Sequence, residues 1–172
     1  MTSLKHQPKQ DVYTTNLLIS LLMRFPEIMS IRFDMPKEQT KFTFILNGSP
    51  DKAEYKRFLS QLRESIAAYQ ELTDEVFRVT AKLQRSRKMN LLILSSSTAT
   101  LTLEGIQLIC GIVCNSFPKT VIRDAETLDA IHEDEMIRQE EIIEYLLSHE
   151  YGTKQENLLA FRDAGKVFVY DK

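Results

Sequence analysis

Apolar residues recur along the chain at two intervals, and the places where one interval gives way to the other mark out its elements. Tyr13, Leu17, Leu18, Leu21 and Leu22 share one face of a helix over residues 11–24. Phe25-Pro26 ends it, because the residue before a proline is pushed out of the helical region. Residues 28–34 and 41–47 are rich in β-branched and aromatic side chains, with Phe42, Phe44 and Leu46 alternating against Thr43 and Ile45. They predict an antiparallel hairpin joined through residues 35–40.

Asn47-Gly48 closes that hairpin, and Ser49 as cap, Pro50 at the first helical position and Asp51 at the positive dipole end predict a helix start. No Gly or Pro interrupts residues 51–88, and Lys82, Arg85, Arg87 and Lys88 gather where a helix end favours cations. Tyr55, Leu62, Tyr69, Val76 and Leu83 fall on every seventh position, while Phe58, Leu72 and Val79 supply the second apolar series of a heptad, spoiled at Ser65. Leu59 and Ile66 widen the stripe. At ~1.5 Å per residue such a helix extends roughly 55 Å, beyond the roughly 40 Å diameter of a compact domain of this length. Part of the stripe is therefore expected to lie against a second copy or a partner helix. Thr73-Asp74-Glu75 resembles a fresh helix start, and a break near Leu72 is the alternative.

Residues 89–95 and 98–103 predict a second hairpin around a Ser-rich turn. Residues 104–117 are apolar nearly all round, which fits a buried helix or a strand, and their length favours the helix. Residues 119–123 are a short strand candidate and 124–131 a connection. Residues 134–149 predict a helix with Met136, Ile143, Leu146 and Leu147 inward and Asp134 in reach of Arg138. Thr153-Lys154-Gln155-Glu156 has the order of a capping box, predicting another helix to residue 164 closed by Gly165, and residues 166–170 alternate as a final strand. The expected fold class is α+β: a single domain over residues 1–172, its antiparallel sheet built from two β-hairpins separated by one long α-helix, with C-terminal helices and a final strand. Residues 117–119 are the only place for a weak sub-boundary.

Charge adds an asymmetry that the net value of −2 conceals. Residues 1–88 carry 15 Lys and Arg against 10 Asp and Glu, whereas residues 89–172 carry 7 against 14. Such a field bears on association rather than on fold. The polar start lacks the basic segment and apolar core of a signal peptide, and no apolar run reaches membrane-spanning length, so a cytoplasmic protein with no membrane partner is expected. Cys110 and Cys114, separated by three residues, match neither a zinc or redox pair nor a disulfide framework and are expected to be inert buried thiols.

The chemical candidates are few. Ser95, Ser96, Ser97 and Thr98 follow a strand and offer hydroxyls and amides for a ligand, though without the glycines and lysine of a phosphate loop. His132 and Glu135 head an acidic region that supplies metal-ligand types without a metal-ligand spacing. The helices expected at 134–149 and 154–164 imitate a helix-turn-helix, with Lys154, Gln155 and Asn157 placed to meet bases. That half is acidic, so nucleic acid is not the expected partner. No catalytic residue set and no cofactor are implied.

The reading favoured is a non-catalytic, bacterial-type cytoplasmic interaction or regulatory domain, a homodimer or partner-helix binder through Tyr55, Phe58, Leu62, Tyr69, Leu72, Val76, Val79 and Leu83. A DNA-binding regulator is the alternative. A small-ligand or metal-binding protein is third.

Overall fold

The computed structural model describes residues 8–86, 89–124, 133–148 and 157–171. The chain is α+β: α1 (Pro8–Arg24), β1 (Ser30–Asp34), β2 (Gln39–Leu46), α2 (Lys52–Thr73), β3 (Val79–Arg85), β4 (Asn90–Ser97), a 3-10 turn (Thr98–Thr100), α3 (Leu103–Ser116), α4 (Glu133–Ser148), β5 (Asn157–Asp163) and β6 (Lys166–Asp171). The six strands form one antiparallel sheet in the order β3-β4-β2-β1-β5-β6. Both β2 and β3 run antiparallel to β4, hence parallel to each other. Helix α2 thus carries the chain past a vacant strand position that β4 then fills.

The first hairpin pairs Ile31 with Phe42 and Phe33 with Thr40, as the alternation of apolar residues requires. Ile31, Phe33, Phe42, Phe44, Leu46, Leu92, Leu94, Leu158 and Ala160 are buried on one face of the sheet, in one core with the inward residues of the four described helices. Helix α1 packs on β1, β5, β6 and α4, α2 packs on α3, and α3 touches α4. Between α1 and α4 an Arg24–Glu140 pair closes at 2.6 Å.

The helix expected to continue to residue 88 ends at Thr73. Asp74 takes the left-handed conformation with φ 58 and donates its N–H to Gln70 O, while Thr73 Oγ1 donates to Tyr69 O. Phe77 then turns into the core with no exposure, its N–H held by Gln70 Oε1 at 3.0 Å. Beyond it Val79, Ala81 and Leu83 form a strand. The step of four from Val79 to Leu83 suits one face of a helix and equally one face of a strand, so the heptad hid a period of two. At the other end Asp51, not Ser49, is the cap: it accepts from Glu54 N at 2.7 Å, and Glu54 returns the bond to Asp51 N in a full capping box.

Because β3 comes from the supposed helix, the second hairpin is β3–β4, with Ser95 and Ser96 inside β4 and the expected partner strand at 98–103 replaced by the 3-10 turn and the start of α3. Residues 104–117 are helical as favoured, capped by Thr102, whose Oγ1 accepts from Gly105 N. The strand expected at 119–123 reduces to a single bridge between Leu46 and Val121. Helix α4 stands where it was expected, although Arg138 pairs with Glu135, at 3.6 Å, in place of Asp134.

The helix expected at 154–164 is overturned over its described part. Asn157–Asp163 is β5, paired with β1 on one side and β6 on the other. Leu158, Ala160 and Arg162 face the core while Leu159 and Phe161 face outward, and β1 would otherwise have been left unpaired on that side. Gly165 does not close a helix: Ala164 at φ 51 and Gly165 at φ 78 make the two-residue turn of the β5–β6 hairpin. Residues 124–131 and 154–156, on which further expectations fell, lie wholly or almost wholly outside the described residues.

Candidate functional site

The heptad residues do not form one seam. Phe58 and Leu62 are buried in the chain's own core, Phe58 with its ring 5.2 Å from that of Phe117. Tyr55 and Tyr69 are half-buried against it. The Tyr69 hydroxyl lies 2.7 Å from Thr102 Oγ1 and donates to Glu75 at 3.2 Å, and burial pushes its pKa up. Leu72 and Val76 stand free, 86% and 60% exposed. Val79 and Leu83 lie on β3, half-buried.

Leu62 and Val79 are brought together. With Leu59, Ile66, Phe77 and Ala81 they line an apolar groove of about 450 Å³ between α2 and β3, with Arg63, Gln70 and Arg78 at its margin. Two features of the sequence build it. The apolar stripe of α2 is wider than the core needs, and β3 carries small or half-buried residues on its inner face where β4 carries Leu92 and Leu94.

The groove is bordered by an edge of the sheet, since β3 pairs with β4 alone among the described strands. Ser86 N donates to Met89 O, 3.0 Å. Hydrogen-bonded and non-bonded pairs alternate along an antiparallel ladder, so the backbone groups of Val79, Ala81 and Leu83 point away from β4. The residues whose side chains floor the groove therefore present their N–H and C=O groups at its mouth. A second hollow of about 530 Å³, between α1 and α4, is lined by Tyr13, Met23, Ile142 and Tyr145, with Glu141 at its margin. It offers side chains without a strand edge.

The remaining candidates separate. Ser95 and Ser97 face one side of β4 and Ser96 the other. Thr98 Oγ1 lies 2.8 Å from Thr40 Oγ1, so the four hydroxyls do not converge on a ligand. Glu135 accepts from Gln139 Nε2 at 3.2 Å, and His132 lies outside the described residues. Among the described residues no three His, Cys, Asp or Glu side chains stand close enough to hold a metal ion. Asn157 accepts from Arg32 Nε at 3.3 Å, on a strand and not on a recognition helix, while Lys154 and Gln155 lie outside the described residues. Burial raises both thiols, Cys110 strongly, and Glu27 beside them adds to the effect.

No described helix is long and apolar enough to cross a membrane. Arg63, Arg78 and Ala81 escaped the sequence reading because each acquires its place only when the chain turns at Asp74. No protein-family model, curated protein or solved structure matches the chain.

Proposed function

We propose that this protein is a non-catalytic interaction domain that binds an extended, acidic segment of a partner by strand addition to β3. The observation that carries the reading is the coincidence of a strand edge that has no partner among the described strands with an apolar groove along the same residues, Val79 and Ala81. A strand laid antiparallel on β3 takes main-chain hydrogen bonds from Val79, Ala81 and Leu83 and lowers alternate side chains onto Leu59, Leu62 and Ile66. Its other side chains meet Lys82 on the opposite face of the sheet, and Arg63 and Arg78 flank the groove, so carboxylates are favoured there.

Self-association through this edge is the less favourable use of it. Two β3 strands side by side would bring Arg78, Lys82 and Arg85 of each copy together, and like charges across a strand pair are destabilising.

A synthetic peptide of alternating valine and glutamate is the direct probe. Titration by fluorescence anisotropy should show binding that a valine–lysine peptide lacks, that Arg78→Glu weakens and that Ala81→Pro, which removes one edge donor, weakens further. Hydrogen exchange at Val79, Ala81 and Leu83 should slow in the complex. No binding at low salt, or binding that leaves those amides unprotected, defeats the reading. A concentration-dependent dimer abolished by Ala81→Pro would assign the edge to a second copy.

A further inference from the structure

The face of the sheet turned away from the helices holds no buried residue on any described strand, and none of the described helices packs on it. The strand registers arrange that face in rows. One runs Lys82, Ile93, Thr43, Ser30, Phe161, Phe168, and the next Thr80, Ser95, Lys41, Arg32, Leu159, Tyr170. The two rows hold three cations and three aromatic rings and no carboxylate. Asp34 stands in the row beyond, and Asp163 faces Lys166 across the β5–β6 hairpin. Phe161 stacks between its neighbours, its ring centroid 5.5 Å from those of Phe168 and Tyr170 at 25° and 17°. The outer rings remain 39% and 53% exposed.

From this arrangement we infer that the open face of the sheet binds single-stranded nucleic acid. Bases stack on the free faces of Phe168 and Tyr170, whose mates Phe161 and Leu159 hold the rings upright, and every base offers such a face whatever its identity. Phosphates meet Lys41, Arg32 and Lys82 along the track that leads from the rings towards β3. At about 4.8 Å per strand the track spans roughly 24 Å, the reach of a short oligonucleotide. A duplex cannot use it, because its bases are already stacked on one another and only its phosphates would be left to bind. A second copy laid face to face would oppose these cations with their own twins. The groove at β3 opens on the opposite side of the sheet, and Lys82 is the one residue that both sites use.

Anisotropy of dye-labelled oligouridylate, oligodeoxythymidylate and a duplex tests the inference on the full chain. Both single strands should bind at low salt and the duplex more weakly, and preference between the two single strands distinguishes RNA from DNA. With three phosphate contacts the affinity should fall with salt at a logarithmic slope of about −2. Phe168→Ala and Tyr170→Ala should each cost about tenfold or more in affinity, and Lys41→Glu should weaken binding and flatten the slope. All three positions are exposed, and an unchanged circular dichroism spectrum confirms that each variant folds. Absence of single-strand binding, preference for the duplex, or indifference to the ring substitutions overturns the inference. So does a dimer in sedimentation that Tyr170→Lys dissociates.

Discussion

Arg162 and Asp124 form an ion pair 3.2 Å long whose side chains are 4% and 10% exposed. The guanidinium also donates to the carbonyls of Leu22, Phe25 and Ile28, so a residue of β5 satisfies the end of α1 and the turn that leads into β1. Burial lowers the Arg162 pKa, and Asp124 opposes that shift. Arg162→Ala removes the cation that faces a buried carboxylate and a donor to three carbonyls, and should destabilise the fold by about 3–5 kcal/mol. Urea unfolding measures it. A change within the range of an ordinary surface substitution would show that the pair does not hold α1 in place.

Glu27 provides a pH signature. Burial raises its carboxyl above the ordinary value of 4.5, against the opposing pull of its own backbone amide, Arg123, Cys110 and Arg24. The folded chain thus keeps a proton that the unfolded chain releases. Stability is highest below the ordinary value and is lost as pH climbs from there through the raised one. Glu27→Gln should be more stable than the wild type at neutral pH, and its advantage should vanish towards acid. Unfolding midpoints of the two proteins across that window decide it, and an advantage independent of pH counts against this role of Glu27.

The break at Asp74 separates substitutions that a continuous heptad would treat alike. Leu72→Asp and Val76→Asp, at exposed positions, should change stability by no more than about 0.5 kcal/mol. Phe77→Ala, at a buried ring 5.5 Å from Tyr69 and in contact with Gly105, should cost about 3–5 kcal/mol. Thermal or urea unfolding of the three variants suffices. Equal effects would restore the long helix.

Cys110 and Cys114 should react slowly with iodoacetamide in the native protein at neutral pH, because burial raises both thiols and little thiolate forms. Unfolding should release both to full reactivity. Mass spectrometry of quenched samples follows the two rates, and rapid native labelling of Cys110 would show that its site opens.

Several elements were legible because one local signal dominated each of them. Phe42, Phe44 and Leu46 cannot be inward on a helix. The run Met136, Ile143, Leu146 and Leu147 cannot be inward on a strand, and the length of residues 104–117 favours a helix over a strand. Of the candidate site, Leu62 and Val79 were in view among the heptad residues, but their meeting across a groove was not. Two of the misread elements show where the local pattern did not decide. The Val79 to Leu83 spacing of four fits both, and the apolar run 158–161 has no period of its own to set against a strong cap signal before it.

What the chain determined by itself is the α+β class, the alternation that sets the β1–β2 register, and the capping chemistry that starts α2, since each depends on residues near one another in sequence. Only the tertiary structure decided where α2 stops, which strand β1 takes as its second partner, and that β3 stands at an edge of the described sheet beside an apolar groove. The physical reason is that those outcomes turn on burying Phe77 and on satisfying backbone groups of distant strands. The free energy of such contacts exceeds the small local preferences a sequence pattern records.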